Sequence, residues 1–305
     1  MSIPRLGPAA LATVLLLSGV SDAPGQSRTR DQWVALAKSG FTVPAGETAA
    51  GLLIEMNALV ASPDPVLRDE VAYSAAERWI VRDRIVEPGD LRHMLALWTD
   101  NLDDGLGTAG DDRIFKRSFS ALCLSLIAAR DVATPFLSAE EAHGLADRLF
   151  AYLARERDLR GFDAAHGWMH AVAHTSDAFK FLARGRYWRR ADLPRLLALV
   201  SAKTAEVEGV FQWGEPQRMA FALHAAVRRE DADTAAVEQW IAGIQKDFAS
   251  LWANGPVVVP HDFARVENRL QVLRGLHAAL SMDASPTPQG EAMRAAAITA
   301  LSRVR

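Results

Sequence analysis

Residues 163–184 read DAAHGWMHAVAHTSDAFKFLAR, and place His166, His170, His174 and Asp177 three to four positions apart. At about 100° per residue a helix carries these four and Phe181 on one stripe, with Trp168, Val172, Phe179 and Leu182 on the opposite face. Histidines at i and i+4 with an aspartate at i+7 offer two imidazole nitrogens and a carboxylate oxygen. That donor set suits zinc, or non-haem iron in a two-histidine, one-carboxylate arrangement, so His170, His174 and Asp177 are candidate metal ligands. Imidazole also titrates near neutral pH, which suits general acid–base work. Yet one helix supplies at most three ligands, and no HExxH sequence sets a general base beside them. A wet helix face whose histidines hydrogen-bond neighbouring helices uses the same residues without chemistry.

Other residues extend the candidate site. Arg117 is placed to pair with a carboxylate such as Asp177, or with an anionic ligand. Cys123 lies within the apolar run of residues 114–124 and reads as a buried, inert thiol. Glu215 and Arg218, three apart in a helix opened by Gly214, read as a surface pair. Gly105, Gly107 and Gly110 match a dinucleotide-binding GxGxxG. A helical, polar segment precedes them where that fingerprint needs a strand, and Asp103, Asp104, Asp111 and Asp112 would repel a phosphate. A flexible loop is the expectation, and a calcium site on those aspartates lacks EF-hand spacing.

The elements positioning these residues are helical throughout. Asp64-Pro65 reads as a cap and a first-turn proline, Ser138 with Glu141 as a capping box, and Gly40 and Gly161 as stop signals. The pattern predicts helices over about 31–39, 47–61, 65–83, 89–102, 112–130, 139–157, 164–184, 192–208, 215–229, 234–253, 262–281 and 289–304. No segment has the alternation of a strand, and Val257–Val259 between two prolines reads as an extended loop. Phe115, Phe119, Leu122 and Leu126 are expected in the core, and Trp240 and Trp252 read as core or inter-repeat packing. Serial amphipathic helices with short linkers predict an all-α fold, an irregular HEAT-like α-solenoid of antiparallel helix pairs, with an α/α toroid as the alternative.

The chain has 305 residues, half of them apolar, and a net charge of −3. Disorder is excluded, and no general affinity for nucleic acid follows from that charge. The single cysteine excludes an intramolecular disulfide framework and a multi-cysteine metal site. Residues 1–26 read as a signal peptide: Arg5, an apolar run from Ala9 to Leu17 that is too short to span a bilayer, and small residues at Ser21 and Ala23. The expectation is export to the periplasm or medium, no stable membrane span, and one domain over 27–305.

Four segments occur together in a recognisable order: FKRSFSALCLSLI (115–127), ERDLRGFDAAHGWMHAVAHTSDAFKFLA (156–183), GEPQRMAFAL (214–223) and NRLQVLRGLHAAL (268–280). Over roughly residues 31–281 the chain resembles an uncharacterised bacterial family, a domain of unknown function, with the pattern RSFSAL, E-D-x-RG and GWxHxxAHxxD. Arg117, Ser118, Phe119, Ser120, Arg160, Gly161, Gly167, Trp168, His170, His174 and Asp177 stand at its positions. His166 lies outside the pattern, and Glu215-Pro216 replaces a paired acidic stretch. The resemblance implies an all-helical, HEAT-like fold and no established activity. The first functional expectation is an exported helical-repeat protein that binds a protein, peptide or small-molecule ligand in a groove lined by His170, His174, Asp177, Arg117 and Trp168. A metal-dependent, hydrolase-like enzyme using His170, His174 and Asp177 with zinc or iron is the second, and a purely structural interaction module the third.

Overall fold

Short polar side chains start the helices. Thr29 accepts from the Gln32 amide and opens α1 (Arg30–Lys38), and Thr48 accepts from Gly51 and opens α2 (Ala49–Met56). Each satisfies an amide that the first turn leaves without a partner. In this computed structural model, which describes residues 28–253, 255–257 and 259–304, the chain is all-α, with twelve α-helices among the described residues. A 3₁₀ turn (Leu59–Ala61) leads to a helical stretch in which wide π turns (Val66–Tyr73 and Glu77–Arg82) flank α3 (Ser74–Ala76). Next come α4 (Pro88–Asn101), α5 (Arg113–Ala133) and α6 (Ala139–Arg155). A two-strand hairpin, β1 (Phe162–Asp163) and β2 (Gly167–Trp168), precedes α7 (Ala171–Arg184). The chain continues through α8 (Asp192–Glu206), α9 (Glu215–Val227), α10 (Thr234–Trp252), α11 (Pro260–Ser281) and α12 (Pro288–Leu301). The Ser138–Glu141 capping box forms as its sequence indicates, and Gly40 ends α1 at φ 71°.

Two layers result. In one, α5 packs on α7, α7 on α9 and α9 on α11. In the other, α6 packs on α8, α8 on α10 and α10 on α12. One large hydrophobic cluster runs from Trp33 to Val304, and a small second cluster gathers Ile114, Phe115, Met169 and Ala171 where α5 meets the start of α7. Phe115, Phe119, Leu122 and Leu126 are buried on α5, and Cys123 is fully enclosed, its thiol pushed up by burial. Thr175 and Ser176 donate to the carbonyls of Ala171 and Val172, so small hydroxyl residues sit inside α7 without an unpaired group. Among the described residues no helix is long and apolar enough to cross a membrane. The signal-peptide segment, residues 1–26, lies outside the described residues.

Three expectations need correction. The helix expected over 164–184 starts at Ala171, and the residues before it form the hairpin, with Phe162 opposite Trp168 and Asp163 opposite Gly167. Asp163 accepts from the amides of Ala165 and His166, an Asx turn that competes with helix, and Gly167 takes φ 74°. The three-to-four spacing imitated a helix across a turn. Gly161 lies well past the end of α6 and stops no helix, and Trp252 is exposed rather than core.

Candidate functional site

The hairpin is fastened from below. Arg68 is fully buried, its guanidinium 4.2 Å from the Phe115 ring centre and 4.7 Å from that of Phe119. Its Nη2 donates to the His166 carbonyl at 2.7 Å and its Nη1 to Ser62 at 2.9 Å. Past the strands, the Met169 amide donates to Gly161 and the His170 amide to Arg160. Ser118 of the RSFSAL segment donates to the Met169 carbonyl, so its oxygen accepts from His174 Nδ1, 2.7 Å away. That fixes the neutral His174 with its proton on Nδ1. The serine thereby ties α5 to both ends of the turn into α7.

His170 caps α7 in the left-handed region, φ 54° and ψ 31°. This conformation costs a non-glycine residue about 1 kcal/mol. Its Nε2 lies 3.0 Å from the Trp213 carbonyl and therefore carries the proton. Glu215, buried at the start of α9, approaches the same nitrogen at 3.5 Å through Oε1 and accepts the Trp213 amide through Oε2. The His170 ring stacks on Trp168, centroids 4.7 Å apart. Trp168, Trp213 and Phe162 touch one another, with centroids 4.8 to 6.2 Å apart, in one aromatic patch. Trp168 is 36% and Trp213 45% exposed. Gly161 lies beneath them, where a Cβ would stand 2.4 Å from both Glu215 Oε1 and Trp213 Cδ1.

Asp177 completes the cluster. Its carboxylate is buried and holds two cations, Lys180 Nζ at 2.9 Å on Oδ1 and Arg218 Nη1 on Oδ2. Arg218 therefore pairs with Asp177 across 41 residues, and not with Glu215 on its own helix. His170, His174 and Asp177 do meet on the amino-terminal half of α7, yet among the described residues no group of three His, Cys, Asp or Glu is arranged to hold a metal ion. The same holds for the aspartates around Gly105–Gly110, where Asp104 pairs with Lys116, Asp111 with Arg113 and Asp103 with Arg148.

Arg117 belongs elsewhere, which corrects its place in the groove. It is fully buried and donates to Glu156 from Nε at 2.7 Å and from Nη2 at 3.0 Å. A third bond runs from Nη1 to the Asp104 carbonyl. Glu156 also accepts the amides of Arg157 and Asp158, and Asp158 takes the Gly110 amide and Arg160. The pair is a closed brace between α5 and the segment leading to the hairpin. Of the expected groove residues, Trp168, His170, His174 and Asp177 come together. Arg218, Trp213, Phe162 and Glu215 join them; the sequence reads Glu215 and Arg218 only as a surface pair, and does not single out Trp213 or Phe162. The clue was Gly214, which takes φ 90° ahead of Glu215-Pro216 and aims Trp213 back at the hairpin.

Burial pushes His170 down to about 4, helped by the Arg218 charge, and holds His174 well below the ordinary imidazole range. Burial also raises Glu215, and raises Asp69 to about 6. Both histidines are thus neutral at pH 7. A histidine with a lowered folded pKa contributes stability above its unfolded value of about 6.5, and that contribution is lost as pH falls toward 4. For His170 the loss is about 3 kcal/mol at full protonation. Asp69 acts in the opposite sense between about 6 and 4, so the two are separated by comparing variants rather than raw curves. In urea unfolding at pH 7.5 and 4.5, His170→Gln is expected to lose clearly less stability on acidification than the parent. Parallel losses would show that His170 is not buried in neutral form.

No curated protein and no solved structure matches the chain. The family described as "Protein of unknown function (DUF2785)" matches residues 102–278, which hold α5, the hairpin, α7, α9 and nearly all of α11. With more than half its length covered, the chain belongs to that family.

Proposed function

We propose that this chain is an exported α-helical-repeat protein that binds a ligand or partner where α7 and α9 begin. The carrying observation is the pair Trp168 and Trp213, two large rings held at the surface by groups that are themselves buried. Single exposed apolar residues are ordinary, but a contiguous patch on a rigid base is how recognition surfaces are built. Here the base is Gly161, Glu215 and a left-handed His170, an arrangement that packing of helices alone does not require. Arg218 takes the place expected of Arg117. Binding is favoured over an ion-dependent hydrolase because both Asp177 oxygens are engaged by cations.

The succession α5–α7–α9–α11 over α6–α8–α10–α12 supports reading the layers as an irregular HEAT-like solenoid over 27–305. The apolar run from Ala9 to Leu17 supports a leader removed on export, which would set the site in the periplasm or medium. The test is intrinsic tryptophan fluorescence against a panel of soluble peptides, oligosaccharides and ring carboxylates. A saturable response that disappears in Trp168→Ala/Trp213→Ala is expected. No response from the parent, or one equally strong in the double variant, overturns the proposal.

A further inference from the structure

The charges around Asp177 are sorted by depth. Asp177 and Glu215 are the carboxylates at this edge, and both are buried. The cations face outward. Arg218 is 45% exposed and uses one nitrogen on Asp177, and among the described residues its side chain has no other partner. Arg184 lies one turn beyond Lys180, is exposed, and pairs with no carboxylate among the described residues. The acids nearby are committed, Glu77 to Arg82 and Asp283 to Arg228. The outward field is therefore positive, and a guanidinium with open donors is shaped for carboxylate or phosphate oxygens.

This cationic edge adjoins the aromatic patch. Glu215 and Arg218 are three apart on α9 and share a face. Glu215 Oε1 lies 3.5 Å from His170 Nε2, and the His170 ring stacks on Trp168. Neutral His170 thus stands between Arg218 and the indoles.

We infer that the site takes an anionic ligand with a ring able to stack, its anion on Arg218, its ring face on Trp213 and its edge against Trp168, whose plane stands 85° from that of Trp213. The inference rests on the binding reading above and adds the ligand's charge and shape. Two ring chemistries share those features, an aromatic carboxylate and a sugar acid, and matched probes distinguish them. Calorimetric titration uses indole-3-acetate against indole-3-acetamide, and glucuronate against glucose. In at least one pair the anion is expected to bind about tenfold or more tighter than its neutral partner. Arg218→Gln should erase that difference, while Trp213→Ala weakens both members. On the parent protein, raising NaCl from about 0.05 to about 0.5 M should weaken the anion alone, a check independent of any variant's folding. Neutral and anionic members binding equally, with loss in Trp213→Ala, overturns the anion assignment and leaves the binding reading standing. No probe binding at all, or binding indifferent to Trp213, overturns the inference; only indifference to both tryptophans also counts against the surface itself.

Discussion

Arg117→Met is expected to lower the free energy of unfolding by about 3–5 kcal/mol, the cost of stranding one member of a buried ion pair. Arg117 and Glu156 are both 0% exposed. Without the guanidinium, Glu156 keeps the amides of Arg157 and Asp158 but carries an uncompensated charge in the interior. The Asp104 carbonyl loses its donor as well. Arg117→Met/Glu156→Gln, which removes both charges, should recover part of the loss, because a neutral buried pair is cheaper than one orphaned ion. Urea unfolding of the parent, the single and the double variant measures this. A single-variant loss below about 1 kcal/mol, the value of a solvated surface pair, would refute the closed brace. At temperatures where Arg117→Met remains folded, its tryptophan emission should match the parent, since Arg117 touches neither indole.

The second large effect falls on Gly161→Ala. The added methyl would stand 2.4 Å from the Glu215 carboxylate and 2.4 Å from the Trp213 ring. Neither can simply withdraw: Glu215 is buried and holds the Trp213 amide, and the Trp213 carbonyl accepts from His170. The Gly161 carbonyl is itself fixed by the Met169 amide. Overpacking of this kind costs about 1–3 kcal/mol, and the strain should be relieved by driving Trp213 outward. Expected results are a lower Tm and a red-shifted tryptophan emission. Gly214→Ala is the comparison, since its Cβ meets nothing within 4 Å and only its left-handed backbone, φ 90°, is penalised. Should Gly161→Ala leave both Tm and emission unchanged, the close approach beneath the patch does not exist.

These two glycines show what the sequence could and could not convey. Local signals were legible: Ser138 three residues before Glu141 writes its own capping box, and Gly40 its own helix end. The apolar periodicity of α5 correctly buried Phe115, Phe119, Leu122 and Leu126. The histidine segment was legible in composition but not in conformation, because spacing of three and four fits a helix and also fits a hairpin leading into one. The Asp163 side chain, through the local Ala165 and His166 amides, and Gly167, close against Pro65 and Arg68, decide between them, and the second of these is a tertiary neighbourhood. Long-range partners were out of reach. Arg117 finds Glu156 across 39 residues and Arg218 finds Asp177 across 41, and nothing in local spacing distinguishes these carboxylates from the others on offer.

Arg68 carries a lesson about where this unit begins. It reaches under the hairpin from a helical turn that precedes the family-matched span, 102–278, by more than thirty positions. A fragment cut to that span would keep every histidine and tryptophan of the patch. It would nonetheless leave the rings of Phe115 and Phe119 uncovered and the His166 carbonyl without its donor. The family-matched span thus omits a side chain that packs beneath its own hairpin, and an excision boundary drawn at residue 102 is expected to cut through that support.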